Sequence, residues 1–295
     1  MKQQSKDLSA QLLGEAALEA LIFEASLYPK PGLVDPQSNG AHTDMNYQTF
    51  LQSCDALAPF LIDYTELGLN HTGTAIQLFK KVRKHGQLAE NAMLDQTNGI
   101  NTHKGANFSF ALLLSATGKV IQEEQVSIPF SDKETTQIFE YVKAMTANLV
   151  QTDFTNLNNK ETLSYGEKLF LNHGITGIRG EAAAGYPALH QLALPFLRTN
   201  RKKNQQTTFL LLLLKLMATI EDANLINRGG IKAWQKVKKR ANELLDNCSK
   251  AISPQQFEQA LTNFDQALIQ DHLSPGGSAD LLALSFFFAK LEGLI

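Results

Sequence analysis

Residues 101–105 read Asn-Thr-His-Lys-Gly and place an amide, a hydroxyl, an imidazole and an ammonium group at the predicted start of a helix. Asn101 or Thr102 could cap that helix, residues 108–114 would form its apolar side, and Gly118 is predicted to end it. A helix start presents unpaired N–H groups and a partial positive charge, so a lysine there favours phosphate binding. A capped and solvated helix start would explain the same residues without any ligand.

Five more segments have the same character, because each joins glycine or proline to charged side chains beside a helical pattern. They cover residues 26–35, 40–45, 177–181, 221–230 and 274–280. If all six segments converge, they supply carboxylates, cations and imidazoles: Asp35, Asp44, Glu181, Glu221, Asp222 and Asp280; Lys30, Lys104, Arg179 and Arg228; His42 and His103. Magnesium takes few carboxylates and completes its shell with water and phosphate oxygens, while arginine and lysine bind phosphate directly. The inventory therefore indicates a site for a nucleoside triphosphate.

Well-known phosphate-binding and hydrolase signatures are missing from the chain. It contains no GxxxxGKS or GxxxxGKT loop, no GxGxxG after a strand and no GxSxG elbow. The formal net charge of −2 provides no general field for nucleic acid or an anionic membrane. We therefore expect a small phosphorylated ligand, bound in a local pocket with the help of a metal ion.

The elements that must position these segments are predicted to be helices. Residues 8–27 place apolar side chains at helical spacing, and Pro29 and Pro31 follow as a stop. Similar patterns cover residues 47–67, 72–85, 103–117, 134–150, 162–173, 187–198, 207–222, 230–247, 254–270 and 278–292. Only residues 120–130 have even a weakly extended pattern. The chain is thus predicted to be all-α, a single domain over residues 1–295 built as an array of about ten crossing helices.

The helix over residues 207–222 has the clearest pattern and the least expected ending. Residues 209–217 are apolar on nearly every side, which is typical of a buried central helix. Glu221 and Asp222 follow at its C-terminal end, where the helix dipole disfavours acidic groups. A compensating cation held by Asp222 and Asn224 would explain them, and so would capping of the next helix.

Residues 1–11 are polar and lack an apolar signal core, and the longest apolar run, residues 209–214, is too short to span a bilayer. We expect a cytoplasmic protein with no membrane partner. Cys54 and Cys248 have no CxxC spacing, so they are predicted to be reduced structural residues.

Residues 26–35, 40–45, 101–105, 179–187 and 274–282 resemble, in this order, the triphosphoribosyl-dephospho-CoA synthases. The resemblance runs from about residue 10 to residue 290. It implies an all-α enzyme that joins ATP to 3′-dephospho-CoA, releases adenine and requires Mg²⁺. It also implies that a separate transferase attaches the product to the acyl carrier protein of citrate lyase or malonate decarboxylase. The chain has Ala223 where the family commonly has threonine, and Tyr28 where it often has threonine or serine.

Such a reaction would pass through an oxocarbenium-like transition state, and the resemblance suggests roles for the residues named above. Glu181, followed by Asp35, is the candidate base or cation stabiliser, and His103 is the candidate acid. The candidate nucleotide-binding residues are Lys30, His42, Asp44, Asn101, Lys104, Arg179, Arg228, Gly276 and Gly277. The candidate magnesium ligands are Asp222, Asn224 and Asp280.

Two other functions remain open at this stage. A nucleoside-phosphate N-glycosidase would send water instead of a ribose hydroxyl to the same carbon. A non-catalytic helical protein could keep the fold and dock on citrate lyase. The carboxylates placed opposite lysines and arginines in loops argue against a scaffold, because a scaffold has no physical need for them.

Overall fold

A computed structural model describes residues 3–155, 157, 160–248 and 253–295 of the protein. The helices are α1 (Gln3–Ser26), α2 (Tyr47–Leu69), α3 (Ala75–Gln96), α4 (Lys104–Glu124), α5 (Asp132–Met145), α6 (Leu149–Asp153), α7 (Tyr165–His173), α8 (Gly177–Ala183), α9 (Leu194–Asn200), α10 (Gln205–Thr219), α11 (Ala223–Cys248), α12 (Pro254–Gln270) and α13 (Gly276–Leu291). A π-helical segment, Ala188–Ala193, precedes α9, and Gly230 breaks the helical path inside α11.

Local sequence signals account for several helix starts. Capping boxes open five helices, with the cap residues Asn46, Thr74, Ser131, Ser164 and Ser253. In each box the cap side chain and the residue three positions later satisfy one another's exposed N–H groups. The predicted all-α class is confirmed, and no strand occurs within the described ranges.

Helix α4 is longer than predicted and shows why Gly118 does not end it. The helix runs through Gly118 to Glu124, so the prediction of a stop at Gly118 was wrong, as was the extended pattern for its last residues. A Cβ added to Gly118 would lie 2.4 Å from the Thr65 carbonyl oxygen of α2, and one added to Gly68 would lie 2.0 Å from the Ser115 carbonyl oxygen. Glycine is there because the two helices cross almost in backbone contact.

The core is shared by helices from nearly the whole chain. Helix α2 packs against α1, α3 and α4, while α13 contacts α1, α4, α10 and α11. Phe286, Phe287 and Phe288 of α13 are buried in this core. Within α10, Leu211 and Lys215 are partly exposed, and the other residues from Leu210 to Met217 are buried. This burial nearly matches the buried central helix predicted from the sequence. The extent of the domain, residues 1–295, stays a prediction.

Several helix ends border one cavity. The start of α4, the start of α13, the short helix α8 and the turn from α10 into α11 all contribute to one cavity. Nothing in the described helices is long and apolar enough to cross a membrane.

Candidate active site

A cavity of about 1460 Å³ lies where the six sequence segments meet. Each segment contributes lining residues, among them Leu33, His42, His103, Glu181, Arg228 and Asp280. Common small-molecule sites hold about 300–1,000 Å³, so this cavity has room for more than one ligand of ordinary size. The six segments therefore converge on one cavity, which could only be assumed from the sequence.

Glu181 stands on α8 and presents a carboxylate to the cavity. Its Oε2 accepts a hydrogen bond from the Ala188 backbone N–H at 3.1 Å. Burial raises the pKa of Glu181, and the Ala188 amide opposes that shift. A carboxylate of raised pKa that faces a cavity is suited to accept a proton or to stabilise a positive centre.

His103 lies at the N-terminal end of α4, buried and next to the cavity. Its Nδ1 is 2.7 Å from the Ser53 hydroxyl oxygen, and its Nε2 has no hydrogen-bond partner among the described residues. Burial, assisted by the Lys30 ammonium, lowers the pKa of His103 to about 3. The acid role predicted for His103 conflicts with this, because a neutral imidazole has no imidazolium proton to give at pH 7. A neutral imidazole keeps one N–H donor and one acceptor nitrogen.

Asp280 of α13 reaches across to the start of α4. A Cβ added at Gly105 would lie 2.0 Å from Asp280 Oδ2, so the glycine in the Asn-Thr-His-Lys-Gly segment makes room for this carboxylate. Burial and the nearby Glu24 and Asp222 raise the pKa of Asp280 well above its usual range. A bound cation would relieve this crowding of negative charge.

Asp222 serves a structural purpose between α10 and α13. Its Oδ2 accepts from the backbone N–H and hydroxyl of Ser278 at 2.8 and 2.9 Å, and its Oδ1 accepts from Gly277 at 3.3 Å. The same Oδ1 accepts from the N–H groups of Asn224 and Leu225. Asp222 therefore caps α13 and the start of α11, and it does not line the cavity. The capping alternative accounts for it, and its metal role stays a prediction without support from this geometry.

Gly276 and Gly277 line the cavity, as does Asn224. The N–H of Gly277 already points at Asp222, so it is not free for phosphate. A substrate would have to displace that bond to use it.

Arg228 and His42 form a second polar group on the wall. Arg228 donates to the Ala41 and His272 carbonyl oxygens at 3.0 and 3.2 Å, and its Nη2 is 3.0 Å from His42 Nδ1. Burial lowers the pKa of His42, and Arg228 lowers it further while Asp44 opposes the shift. His42 Nε2 is 3.0 Å from the Ser274 hydroxyl, which joins two of the sequence segments.

Lys104 and Arg179 line the cavity, each beside a carboxylate. Lys104 Nζ is 2.5 Å from Glu90 of α3, and the Lys104 backbone N–H points at Asn101 Oδ1 at 3.3 Å. Arg179 Nε donates to Asp153 at 2.8 Å. Both cations are therefore oriented by partners that the sequence patterns did not reveal.

Like Asp222, two more residues predicted for the site, Lys30 and Asp35, do not line the cavity. Lys30 is 1% exposed, and its ammonium is 2.5 Å from both the Glu24 carboxylate and the Glu24 carbonyl oxygen. Asp35 is buried and accepts from the backbone N–H groups of Gln37 and Ser38 at 2.8 and 2.9 Å. The local geometry places Lys30 in a buried ion pair and Asp35 in a turn, and the phosphate and catalytic roles predicted for them stay predictions without support from this geometry.

The family model described as CitG: ATP:dephospho-CoA triphosphoribosyl transferase matches residues 10–295. The chain belongs to this family. A relative from Streptococcus equi subsp. zooepidemicus, named probable 2-(5''-triphosphoribosyl)-3'-dephosphocoenzyme-A synthase, is 49% identical over 286 residues, 95% of this chain and 96% of its own. A relative of the same name from Streptococcus mutans is 46% identical over 302 residues, 99% of this chain and 100% of its own. The resemblance and the predicted transferase class are confirmed.

A crystal structure from Archaeoglobus fulgidus, whose name provisionally assigns it to the triphosphoribosyl-dephospho-CoA synthases, aligns with a TM-score of 0.49. The two chains are 17% identical, and the alignment covers 83% of this chain and 100% of the other.

For this CitG family member, the fit of a magnesium ion can be tested on the side chains present. The described residues hold no group of three or more His, Cys, Asp or Glu side chains arranged for a metal ion. Magnesium needs only one or two protein oxygens when phosphates and water supply the rest. Asp280, with its crowded negative charge, and Asn224 both line the cavity and carry oxygens of the kind that magnesium binds.

Sequence reasoning missed several cavity residues that stand inside helices. Arg83, Gln87 and Glu90 of α3 line the cavity at helical spacing, and Asp153 ends α6. Glu24 near the end of α1 also lines it. Glycine or proline beside charged residues marks a loop in the sequence, whereas a charged residue in the middle of a helix has no such local signature. The polar residues at positions i, i+4 and i+7 of α3 are the sequence signal that could have indicated this face of the helix.

Proposed function

We propose that this protein transfers the triphosphoribosyl group of ATP to the 2′-hydroxyl of 3′-dephospho-CoA, giving 2′-(5″-triphosphoribosyl)-3′-dephospho-CoA and adenine. The observation that carries the proposal is one cavity of about 1460 Å³ that all six segments line, with both carboxylates and cations among its lining residues. Membership in the family described as ATP:dephospho-CoA triphosphoribosyl transferase supports the choice of substrates.

The chemistry breaks one glycosidic bond and forms another. The 2′-hydroxyl oxygen of the acceptor attacks C1 of the ATP ribose, and the C1–N9 bond breaks. Its electron pair leaves with adenine, which takes up one proton while the hydroxyl loses one. Glu181 is the proposed base for that hydroxyl or the carboxylate that stabilises the cationic ribose, since it faces the cavity and has one oxygen left for a ligand.

Other cavity residues orient the substrates. His103 contributes a neutral hydrogen bond through Nε2, because its pKa of about 3 keeps it uncharged at pH 7. Lys104, Arg179 and Arg228 are the proposed phosphate partners, since all three line the cavity and carry positive charge. His42, Asp44 and Asn101 line the same cavity.

Asp280 and Asn224 are the residues that would hold Mg²⁺. When bound, the ion would neutralise part of the triphosphate charge. The remaining expectations follow from the family resemblance: a separate transferase takes the product to an acyl carrier protein of citrate lyase or malonate decarboxylase, and the protein works in the cytoplasm.

The test is adenine release from ATP, followed with and without 3′-dephospho-CoA, together with mass spectrometry of the product. We expect adenine to appear only with the acceptor and the triphosphoribosyl group to be added intact. Equal release without acceptor would establish a hydrolase instead. ADP or pyrophosphate as the main product would contradict both readings, and no reaction in the presence of Mg²⁺ would support a non-catalytic protein.

A further inference from the structure

Three side chains from separate helices meet at the cavity wall in an arrangement with excess positive charge. Arg83 of α3 donates from Nη1 and Nη2 to the two oxygens of Asp153, at 2.6 and 3.0 Å. Arg179 of α8 donates from Nε to the same carboxylate at 2.8 Å. All three line the cavity, and the Asp153 side chain is only 7% exposed, against 40% for Arg83 and 30% for Arg179.

One carboxylate cannot neutralise two guanidinium groups, so the cluster keeps a net positive charge of about one. Asp153 also uses up only part of the donor capacity. Arg179 binds it through Nε alone, and within the described residues no hydrogen bond engages Arg179 Nη1 or Nη2. These terminal groups are the part of the fork that matches phosphate oxygens.

Aromatic rings hold both guanidinium groups in place. The Cζ of Arg179 lies 5.6 Å from the centre of the Phe154 ring, which itself stacks on Phe170 at 4.2 Å. The Cζ of Arg83 lies 5.7 Å from the Phe79 ring. The two arginines are therefore ordered before any ligand arrives, which reduces the entropic cost of binding.

We propose that Arg83 and Arg179, oriented by Asp153, form a phosphoanhydride subsite of the cavity. The ligand chemistry is a di- or triphosphate chain, which either substrate of the proposed reaction carries. The inference rests on that proposed function for the identity of the substrates, while the subsite itself rests on the geometry of the three side chains. Asp153 acts as the positioning residue that keeps two like charges side by side.

The experiment measures the dissociation constants of ATP and of 3′-dephospho-CoA separately, by calorimetry, for wild type, Arg83→Ala and Arg83→Lys. Arg240→Ala is the matched control, because Arg240 also pairs with a carboxylate, Glu243, but stands outside the cavity lining. We expect Arg83→Ala to weaken one of the two substrates at least tenfold, with the other and the Arg240→Ala protein within twofold of wild type. Inorganic tripolyphosphate should compete with that substrate in wild type and compete less well in Arg83→Ala.

A selective loss for ATP assigns the subsite to its triphosphate, and one for 3′-dephospho-CoA assigns it to the diphosphate. Arg83→Lys keeps the charge and removes the fork, so it should bind between wild type and Arg83→Ala with a normal melting temperature. Unchanged affinity for both substrates in a folded Arg83→Ala protein would overturn the subsite. The subsite would also be overturned if Arg83→Ala and Arg83→Lys both lose affinity for the two substrates equally and both have a lowered melting temperature, because the loss would then reflect reduced stability. Wild type that releases no adenine with both substrates would refute the proposed function, whatever Arg83→Ala does.

Discussion

At the scale of single residues, the chemistry depends on how the cavity treats each titratable group. Glu181 and His103 both line the cavity, and burial acts on both, yet it moves their pKa values in opposite directions. It disfavours the charged form of each, so the carboxylate becomes a better base and the imidazole stays neutral. Burial therefore increases the proton affinity of Glu181 and decreases that of His103.

Replacing Glu181 with glutamine tests the role of its charge. Glu181→Gln keeps the shape of the side chain and removes its basicity, so we expect turnover to fall by about a hundredfold or more, with ATP affinity little changed. In wild type, kcat/KM should fall on acidification through a pKa above the ordinary glutamate value, because burial raises the pKa of Glu181. Steady-state kinetics across pH and calorimetry measure these effects. Exposed Glu258 on α12 provides the control Glu258→Gln. Near-normal turnover in Glu181→Gln would leave Glu181 as a hydrogen-bonding partner of Ala188 only.

The neutral state of His103 should make folding stability depend on pH. In the unfolded chain a histidine titrates near 6.5, while the folded pKa is about 3, so only the unfolded state takes up this proton between those values. The contribution is present above pH 6.5 and is lost as pH falls toward 3. Between pH 7 and pH 5 the loss should be about 2 kcal/mol for this one group. Urea unfolding of wild type and His103→Gln at both pH values measures it, and equal losses in the two proteins would contradict a buried neutral imidazole.

At the scale of helices, the crossing of α2 and α4 determines where the Asn-Thr-His-Lys-Gly segment lies. Gly68 and Gly118 let the two backbones touch, and α4 carries His103 and Lys104 at its start. Ser53 of α2 then lies within 2.7 Å of His103 Nδ1. Helix packing and site geometry are therefore linked through one pair of helices.

A methyl group at this crossing should destabilise the protein. Gly118→Ala and Gly68→Ala each place a Cβ against a backbone carbonyl that cannot move alone, so we expect a cost of about 1–3 kcal/mol in the free energy of unfolding. Gly86→Ala in α3 is the matched control, since its nearest atom would be 3.8 Å away, and it should stabilise by about 0.5–1 kcal/mol through helix propensity. Urea denaturation compares the three variants. A stabilised Gly118→Ala protein would show that the crossing is looser than described.

At the scale of the whole molecule, the proposed function requires one cavity to hold two anionic substrates in a protein whose net charge is −2. Lys104 and Arg179 on its wall each pair with a carboxylate, while Arg228 donates to neutral carbonyl oxygens, so only part of the positive charge is left to balance the substrate phosphates. Selection among acceptors is therefore expected to depend on charge as well as shape.

Free CoA should be a poor acceptor compared with 3′-dephospho-CoA. Its 3′-phosphate adds bulk and about two negative charges next to the attacking hydroxyl, where Glu181 and the ATP triphosphate are proposed to lie. Repulsion between like charges in a dehydrated site amounts to several kcal/mol, so we expect discrimination of about a hundredfold or more in kcat/KM. Adenine release with each acceptor, in the presence of Mg²⁺, measures it. Equal rates for the two acceptors would place the 3′ position in open solvent.

Most of the architecture could be predicted from sequence because helix formation is a local property. The apolar spacing of residues 8–27 and 254–270 anticipated α1 and α12, and the segments rich in glycine, proline and charge anticipated the cavity. The helix end predicted at Gly118 was wrong, because a glycine inside a helix has the same local signature as a glycine that ends one. Its purpose depends on α2, which the local pattern does not contain.

The sequence by itself determined the all-α class, the order of the segments and, through them, the family. These features depend on periodicity, turn chemistry and residue order, all of which are written along the chain. Only the tertiary structure decided that Lys30 and Asp35 lie off the cavity, that His103 is neutral and that Arg83 meets Asp153 seventy positions later. Burial and partners across such separations depend on how the helices pack, and that packing determines the charge and orientation of each side chain at the site.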